Sequence, residues 1–267
     1  MNIFIYELKS LRKSIALWTS SIASFLVMYM AFFPAFGKDA AILDNLMANY
    51  PEEMLKAMGL SGNLQLSSII GYFAFTFAFI QLMLAIQASN YGFGILSAEE
   101  RDMTADFLLT KPVSRRRIIL SKFLAAFTAL LFSNAAVWIS SFFTLEIFRG
   151  DQTYNKNKVI VLLASVVLFQ LFFLNIGMLI SVLVKKVRSV ISFSMALAFG
   201  TYIINAVRAI IEGEILGYIT PFYLFDPQYI LEHGKYNFLP FIVAVLIIVS
   251  SALLCYRLYL RRNIHSL

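Results

Sequence analysis

The residues best placed to do chemistry form one polar stretch between two very apolar ones, Ser97 to Lys122. Glu99, Glu100, Asp102 and Asp106 interleave with Arg101 and Thr104, and Phe107, Leu108 and Leu109 follow. Lys111-Pro112-Val113-Ser114-Arg115-Arg116-Arg117 comes next, with Lys122 beyond it. Acids and bases mixed this closely, without histidine or cysteine among them, suit recognition by charge rather than the making of bonds.

The spacing predicts two helices. Ser97 with Glu100 three residues later reads as a capping box, each side chain satisfying a backbone N–H at the start of a helix. That helix should end near Thr110, because Pro112 disfavours the α region at Lys111. Ser114 should cap a second helix running through Ile118, Ile119 and Leu120. Three arginines in its first turn oppose the helix dipole, so something outside the helix should compensate them. Lipid phosphates and the carboxylates of a partner protein are the two candidates, and on charge alone a juxtamembrane basic cluster favours lipid.

Catalysis finds little support. The chain has no Gly-x-x-x-x-Gly-Lys-Ser/Thr loop to cradle a phosphate, no His-Glu-x-x-His and only one cysteine, Cys255. No catalytic residue, metal ligand set or cofactor of the chain's own is therefore expected. The amides and hydroxyls within apolar runs should mostly bond helix to helix. Gln81, Gln170, Asn175, Asn205 and Arg208 are also candidates for a weakly polar path across the membrane. Arg208 stands four positions from the end of its span, where snorkelling to the interface beside Glu212 is the simpler reading.

These residues need a membrane to position them. The 267 residues are 60% hydrophobic and only 14% charged, with mean hydropathy +0.77. A soluble domain has about 45–50% apolar and about 25% charged residues. Net charge is +7, but the bases are scattered among apolar segments, which gives no case for nucleic acid. Six runs are long enough to cross about 30 Å of hydrocarbon: 15–36, 69–91, 123–148, 159–184, 190–211 and 239–259. The first is too long for the apolar core of a signal peptide. Residues 1–13 mix Ile3, Phe4, Ile5, Leu8 and Leu11 with Lys9, Arg12 and Lys13, as an interfacial helix would. A plain extension of the first span fits them equally.

Lysine and arginine concentrate on one side of this arrangement, at residues 9–13, 101–122, 185–188 and 257–262. The positive-inside bias puts both termini and the Ser97–Lys122 stretch in the cytoplasm. Between spans four and five, Lys185, Lys186 and Arg188 form a second, smaller basic contact or simply a basic turn. On the outer side, Asn49–Met58 reads as a short helix. The half-apolar segment 212–238, with Pro221 and Pro227, reads as short helices dipping into the outer leaflet. Backbone at that depth must be sheltered by protein or water.

Glu100-Arg101-Asp102-Met103-Thr104-Ala105-Asp106-Phe107-Leu108-Leu109, then Pro112-Val113-Ser114-Arg115 and Lys122, resembles the cytoplasmic signature of ABC type-2 permeases. That pattern is roughly Glu-x-x-Gly-Thr-x-Glu-x-Leu-Leu, then Pro-Val-Ser-Arg, then Lys. Met103 stands where the family usually has glycine, and Asp106 where it often has glutamate. Thr220-Pro221-Phe222 with Phe225-Asp226-Pro227 is similar to the family's Ser-Pro-Phe…Phe-Asp-Pro feature before the last span. The resemblance implies an all-α integral membrane protein: a single permease domain of six transmembrane helices spanning 1–267. It would have an N-terminal interfacial helix, a cytoplasmic coupling helix and short outer helices. It also implies a multi-pass protein of the cell membrane, paired with a second permease copy and with an ABC ATPase that binds ATP and Mg. Its cargo would move outward, hydrophobic or amphipathic, with a peptide toxin or antimicrobial among the options. Glu99, Glu100, Arg101, Asp102, Thr104, Asp106, Leu108, Pro112, Arg115, Arg116 and Arg117 would be the ATPase-coupling residues. A non-transporting scaffold or regulatory subunit, or an uncoupled channel or carrier, is the alternative.

Overall fold

A computed structural model describes residues 3–35, 49, 65–101, 113–184, 186–211 and 213–261. Among them are only helices and their connections: α1 (Ile3–Ala31), α2 (Ile69–Arg101), α3 (Arg115–Phe148), α4 (Lys156–Leu183) and α5 (Val190–Ile211). Three short helices follow, α6 (Glu214–Gly217), α7 (Pro221–Leu224) and α8 (Pro227–His233), and α9 (Phe238–Arg261) is last. Six of these are long and apolar enough to cross a membrane. The protein is an all-α, multi-pass membrane protein.

Local chemistry fixes most of the ends. Ser114 has extended backbone and its hydroxyl accepts from Arg117 N at 3.4 Å, capping α3 as its sequence suggests. Asn155 caps α4 by accepting from Asn157 N at 2.9 Å. Pro221 and Pro227 occupy first-turn positions, where a missing N–H costs nothing. Gly234 ends α8 at φ 70°, and its N–H donates to Ile230 O at 2.7 Å.

Two expectations fail at helix boundaries. Ser97 starts no helix: α2 runs unbroken to Arg101, and the buried Ser97 hydroxyl donates to Phe93 O at 2.7 Å. A serine inside a helix bonds its own i−4 carbonyl in this way, so the capping pattern was a local coincidence. Nor is there a separate interfacial helix. Residues 3–31 are one helix, the plain extension of the first span, with no proline or glycine to interrupt it. The expected outer helix at Asn49–Met58 and the stretch from Asp102 to Pro112 lie outside the described residues, apart from Asn49, which sits in a turn.

Helices α2 and α4 form the centre, most of their apolar length being buried, whereas α1 and α5 leave most of theirs exposed. The α2–α4 contact is nearly backbone to backbone. A Cβ on Gly92 would lie 2.4 Å from Leu174 O, and one on Gly177 would lie 3.1 Å from Ser89 O. Around this axis α1 rests on α3, α5 on α2 and α9 on α4.

The outer segment is held in the core as its depth demands. Phe222 and Phe225 meet Phe169 edge-on, with ring centroids 5.4 and 6.3 Å apart, and Phe222 also meets Phe173 and Tyr202. Gln81 donates to Phe225 O at 2.7 Å, and the Thr220 hydroxyl donates to Thr201 O at 3.0 Å. Gln81 thus satisfies a backbone carbonyl of the outer segment, and Thr220 fastens that segment to α5.

Candidate functional site

The end of the bundle that holds the start of α1 and the start of α3 is where the sequence concentrates its bases. Lys122 lies two turns into α3, fully buried, between Ile119 and Ala125. Its ammonium pairs with Glu7 Oε1 at 3.0 Å, the two side chains being 1% and 10% exposed, and it also donates to Ile95 O. One ammonium therefore ties α1, α2 and α3 together. Lys122 is thus a core residue and not part of a cytoplasmic surface.

Sequence reasoning missed Glu7 altogether. It is the one acid among the bases and apolar residues of the first thirteen positions. Lys122 is likewise the one base after the arginine triplet, set into an apolar helix face. Each being the odd charge of its segment was the available signal. The link between them is tertiary, and no local pattern contains it.

At the foot of α3, Ile118 and Ile119 are buried and Val113 packs against the same core, so the first turn is firmly seated. Arg116 and Arg117 are exposed there and Arg115 is half-buried. Helix α2 carries Glu99, Glu100 and Arg101 at its end. Of the remaining predicted coupling residues, Asp102, Thr104, Asp106, Leu108 and Pro112 lie outside the described residues. In the second basic turn Lys186 and Arg188 are exposed around a buried Val187, and Lys185 lies outside the described residues. Beside the Glu7–Lys122 pair, a cavity of about 570 Å³ separates α1 from α2 and the start of α5. Tyr6, Ser10, Asn90 and Ser189 give it a partly polar wall.

Deeper in the bundle, buried side chains bond across four helices. Gln170 donates to Gln87 Oε1 at 3.2 Å, Gln87 donates to Ser133 Oγ at 2.7 Å, and Ser133 shares a 3.1 Å hydrogen bond with Thr19. Asn175 donates to Ile248 O at 3.3 Å. Three of the five path candidates, Gln81, Gln170 and Asn175, are therefore engaged in holding helices together. Such bonds stabilise a bundle by about 0.6–2 kcal/mol each.

Asn205 and Arg208 are placed differently, near the far end of α5. The guanidinium lies 4.1 Å over the Tyr223 ring, and Gly217 provides the space, since a Cβ there would meet that ring at 2.6 Å. Arg208 Nε and Asn205 Oδ1 are buried and form no hydrogen bond among the described residues. Asp226, the cap of α8, is desolvated there, which pushes its carboxyl up to about 6 despite hydrogen bonds from Gln228 and Tyr229 and the Arg208 charge. At the same end Glu146 pairs with Arg149 at 3.0 Å and Lys156 at 2.8 Å.

Compared with known families, residues 1–264 match the family described as ABC-2 family transporter protein. The chain matches no protein among those with curated descriptions. The match covers every helix described above, and members of this family work with an ABC ATPase partner as membrane transport components that are not themselves catalytic.

Proposed function

The chain belongs to the ABC-2 transporter family, and from that premise we propose that it is the permease subunit of an ATP-driven exporter. The basic end is cytoplasmic, the protein lies in the cell membrane, and two copies pair around the transport path. A separate ATPase binds ATP and Mg. The whole chain acts as one permease domain. Cargo is hydrophobic or amphipathic, in keeping with spans whose polar groups are chiefly amides and hydroxyls rather than midplane charges.

The observation that supports coupling is the Glu7–Lys122–Ile95 node. Helices α2 and α3 are 33 and 34 residues long. At 1.5 Å per residue each is about 50 Å, roughly 20 Å longer than the hydrocarbon core. Residues 102–114 join these two long helices, and the node clamps them to each other and to α1 close to that junction. A push on 102–114 from a closing ATPase is thereby delivered to three helices together. Glu99, Glu100, Arg101, Asp102, Thr104, Asp106, Leu108, Pro112, Arg115 and Arg117 form the ATPase contact, with Lys185, Lys186 and Arg188 as its smaller second part. Since Gln81, Gln170 and Asn175 are engaged within one chain, the path itself runs along the exposed faces of α1 and α5 between two copies.

The test is co-expression with each ABC ATPase of the same genome. A stoichiometric complex is expected, and Glu100→Lys with Asp102→Lys should abolish cargo-stimulated ATP turnover while membrane insertion is unchanged. Normal export by that double variant would refute the contact. A chain that purifies alone, without any ATPase, would support the scaffold reading instead.

A further inference from the structure

At the basic end, on the side away from α1, a groove of about 320 Å³ runs between α3, α4 and α9. Its volume is at the small end of ligand-sized sites. Ile119, Leu120 and Phe123 of α3, Met178 of α4, and Leu253 and Tyr256 of α9 line it. Asn175 lies in the floor, but its amide is turned to Ile248 O, so it offers the groove little polarity. Leu120 and Leu253 are more than half exposed, at 51% and 56%, so the rim faces whatever surrounds the spans.

The charges at the mouth are the second observation. Arg116 precedes Ile119, Leu120 and Phe123 by three, four and seven positions, which puts it on the same helical stripe. Arg257 follows Leu253 by one turn, and Arg261 follows a turn later. Side chains lean toward the N-terminus of their own helix, which from Arg257 on α9 is back toward the groove. Arg116, Arg257 and Arg261 are all exposed. The two helices thus bring an apolar slot and guanidinium groups together at the basic end of the spans.

We propose that this groove seats an acyl chain of an anionic glycerophospholipid whose phosphate is held between Arg116 and Arg257. Guanidinium is the side chain suited to the site, because its planar fork makes paired, charge-assisted hydrogen bonds to phosphate oxygens. The lipid also supplies the negative charge that the first turn of α3 lacks. Arg116 is thereby assigned to lipid, leaving Arg115 and Arg117 for a protein partner. The inference rests on the chain spanning a bilayer and not on the exporter reading.

The experiment uses the purified full chain in mixed micelles with equal amounts of phosphatidylglycerol and phosphatidylcholine, and measures the retained lipids by mass spectrometry. Each arginine near a phosphate contributes roughly fivefold, so the two together should give roughly 25-fold preference for phosphatidylglycerol. Arg116→Gln with Arg257→Gln should bring the ratio close to one, and both substitutions are at exposed positions that the fold tolerates. Lys9→Gln with Lys13→Gln removes equal charge from the same end and should leave the ratio unchanged. Ala252 also lines the groove, and Ala252→Phe, which fills it, should lower the retention of both lipids. No preference in the parent chain, or equal loss in the lysine pair, would overturn the proposal in favour of diffuse surface charge. An Ala252→Phe chain that retains lipid but loses self-association would assign the groove to a second copy and overturn it too. None of these readings requires an ATPase, so the coupling proposal stands or falls separately.

Discussion

Lys122 and Glu7 illustrate how costly a charge is when it must be buried and how little of that cost is visible locally. Removing one partner of a buried pair leaves an uncompensated charge and destabilises by about 3–5 kcal/mol, whereas replacing both with apolar residues is often close to neutral. Lys122→Leu should therefore lower the unfolding midpoint in detergent strongly, and Glu7→Leu in the same chain should recover most of the loss. Independent, additive losses would show that the 3.0 Å contact contributes no coupling. At this scale the sequence was legible where chemistry is local. Ser114 caps α3, and Pro221 and Pro227 open their helices, as their types suggest, because such signals are made within four residues. Ser97 carries the same local signal, but the tertiary continuity of α2 overrode it.

Among the elements, α2 and α4 behave as one body because glycines replace the layer of side chains that normally separates helices. Gly92 and Gly94 look equivalent in sequence, two positions apart in one helix. Their surroundings differ: a Cβ at Gly92 would collide with the Leu174 carbonyl at 2.4 Å, whereas one at Gly94 would find Val190 Cγ1 at an ordinary 3.6 Å. Gly92→Ala should destabilise by about 1–3 kcal/mol through overpacking. Gly94→Ala should be neutral or stabilising by up to about 1 kcal/mol from helix propensity. Thermal unfolding of the two variants side by side decides this, and equal midpoints would refute the close approach. The six spans themselves were legible because a stretch of about 20 apolar residues is a signal that survives any packing arrangement. Their partners were not, since hydropathy is nearly uniform around α3 and α4 and gives no face to read. The short outer helices were legible from their prolines, while the aromatic cluster that anchors them depends on Phe169 and Phe173, distant in sequence.

For the whole molecule, the distribution of bases defines one end, and that asymmetry makes a direct prediction about sidedness. The chain's one cysteine, Cys255, is buried at 3% exposure, which makes it a quiet background for labelling. Lys13→Cys should resist a membrane-impermeant maleimide in intact cells and react after permeabilisation. Asn157→Cys, at the exposed start of α4, should react in both. The reverse pattern would invert the topology and with it the proposed ATPase face. At this scale the family motifs were legible in two stretches, 100–122 and 220–227, but the way the bundle is clamped was not. Hydropathy and motif order say which segments cross the membrane, and pairing across distant helices decides how they move together.

The clamp also has a history within each molecule's synthesis. Helix α1 is made first, yet the base that neutralises Glu7 emerges about a hundred residues afterwards. At about 5–20 residues per second that interval is on the order of 10 s. During it the newborn first helix carries its carboxylate near the headgroups before Lys122 has been made. Only when α3 enters does the acid find its partner, drawing the oldest helix onto the third and sealing Ile95 between them. Helix α1 is thus made before α2 and α3 but locked only together with them.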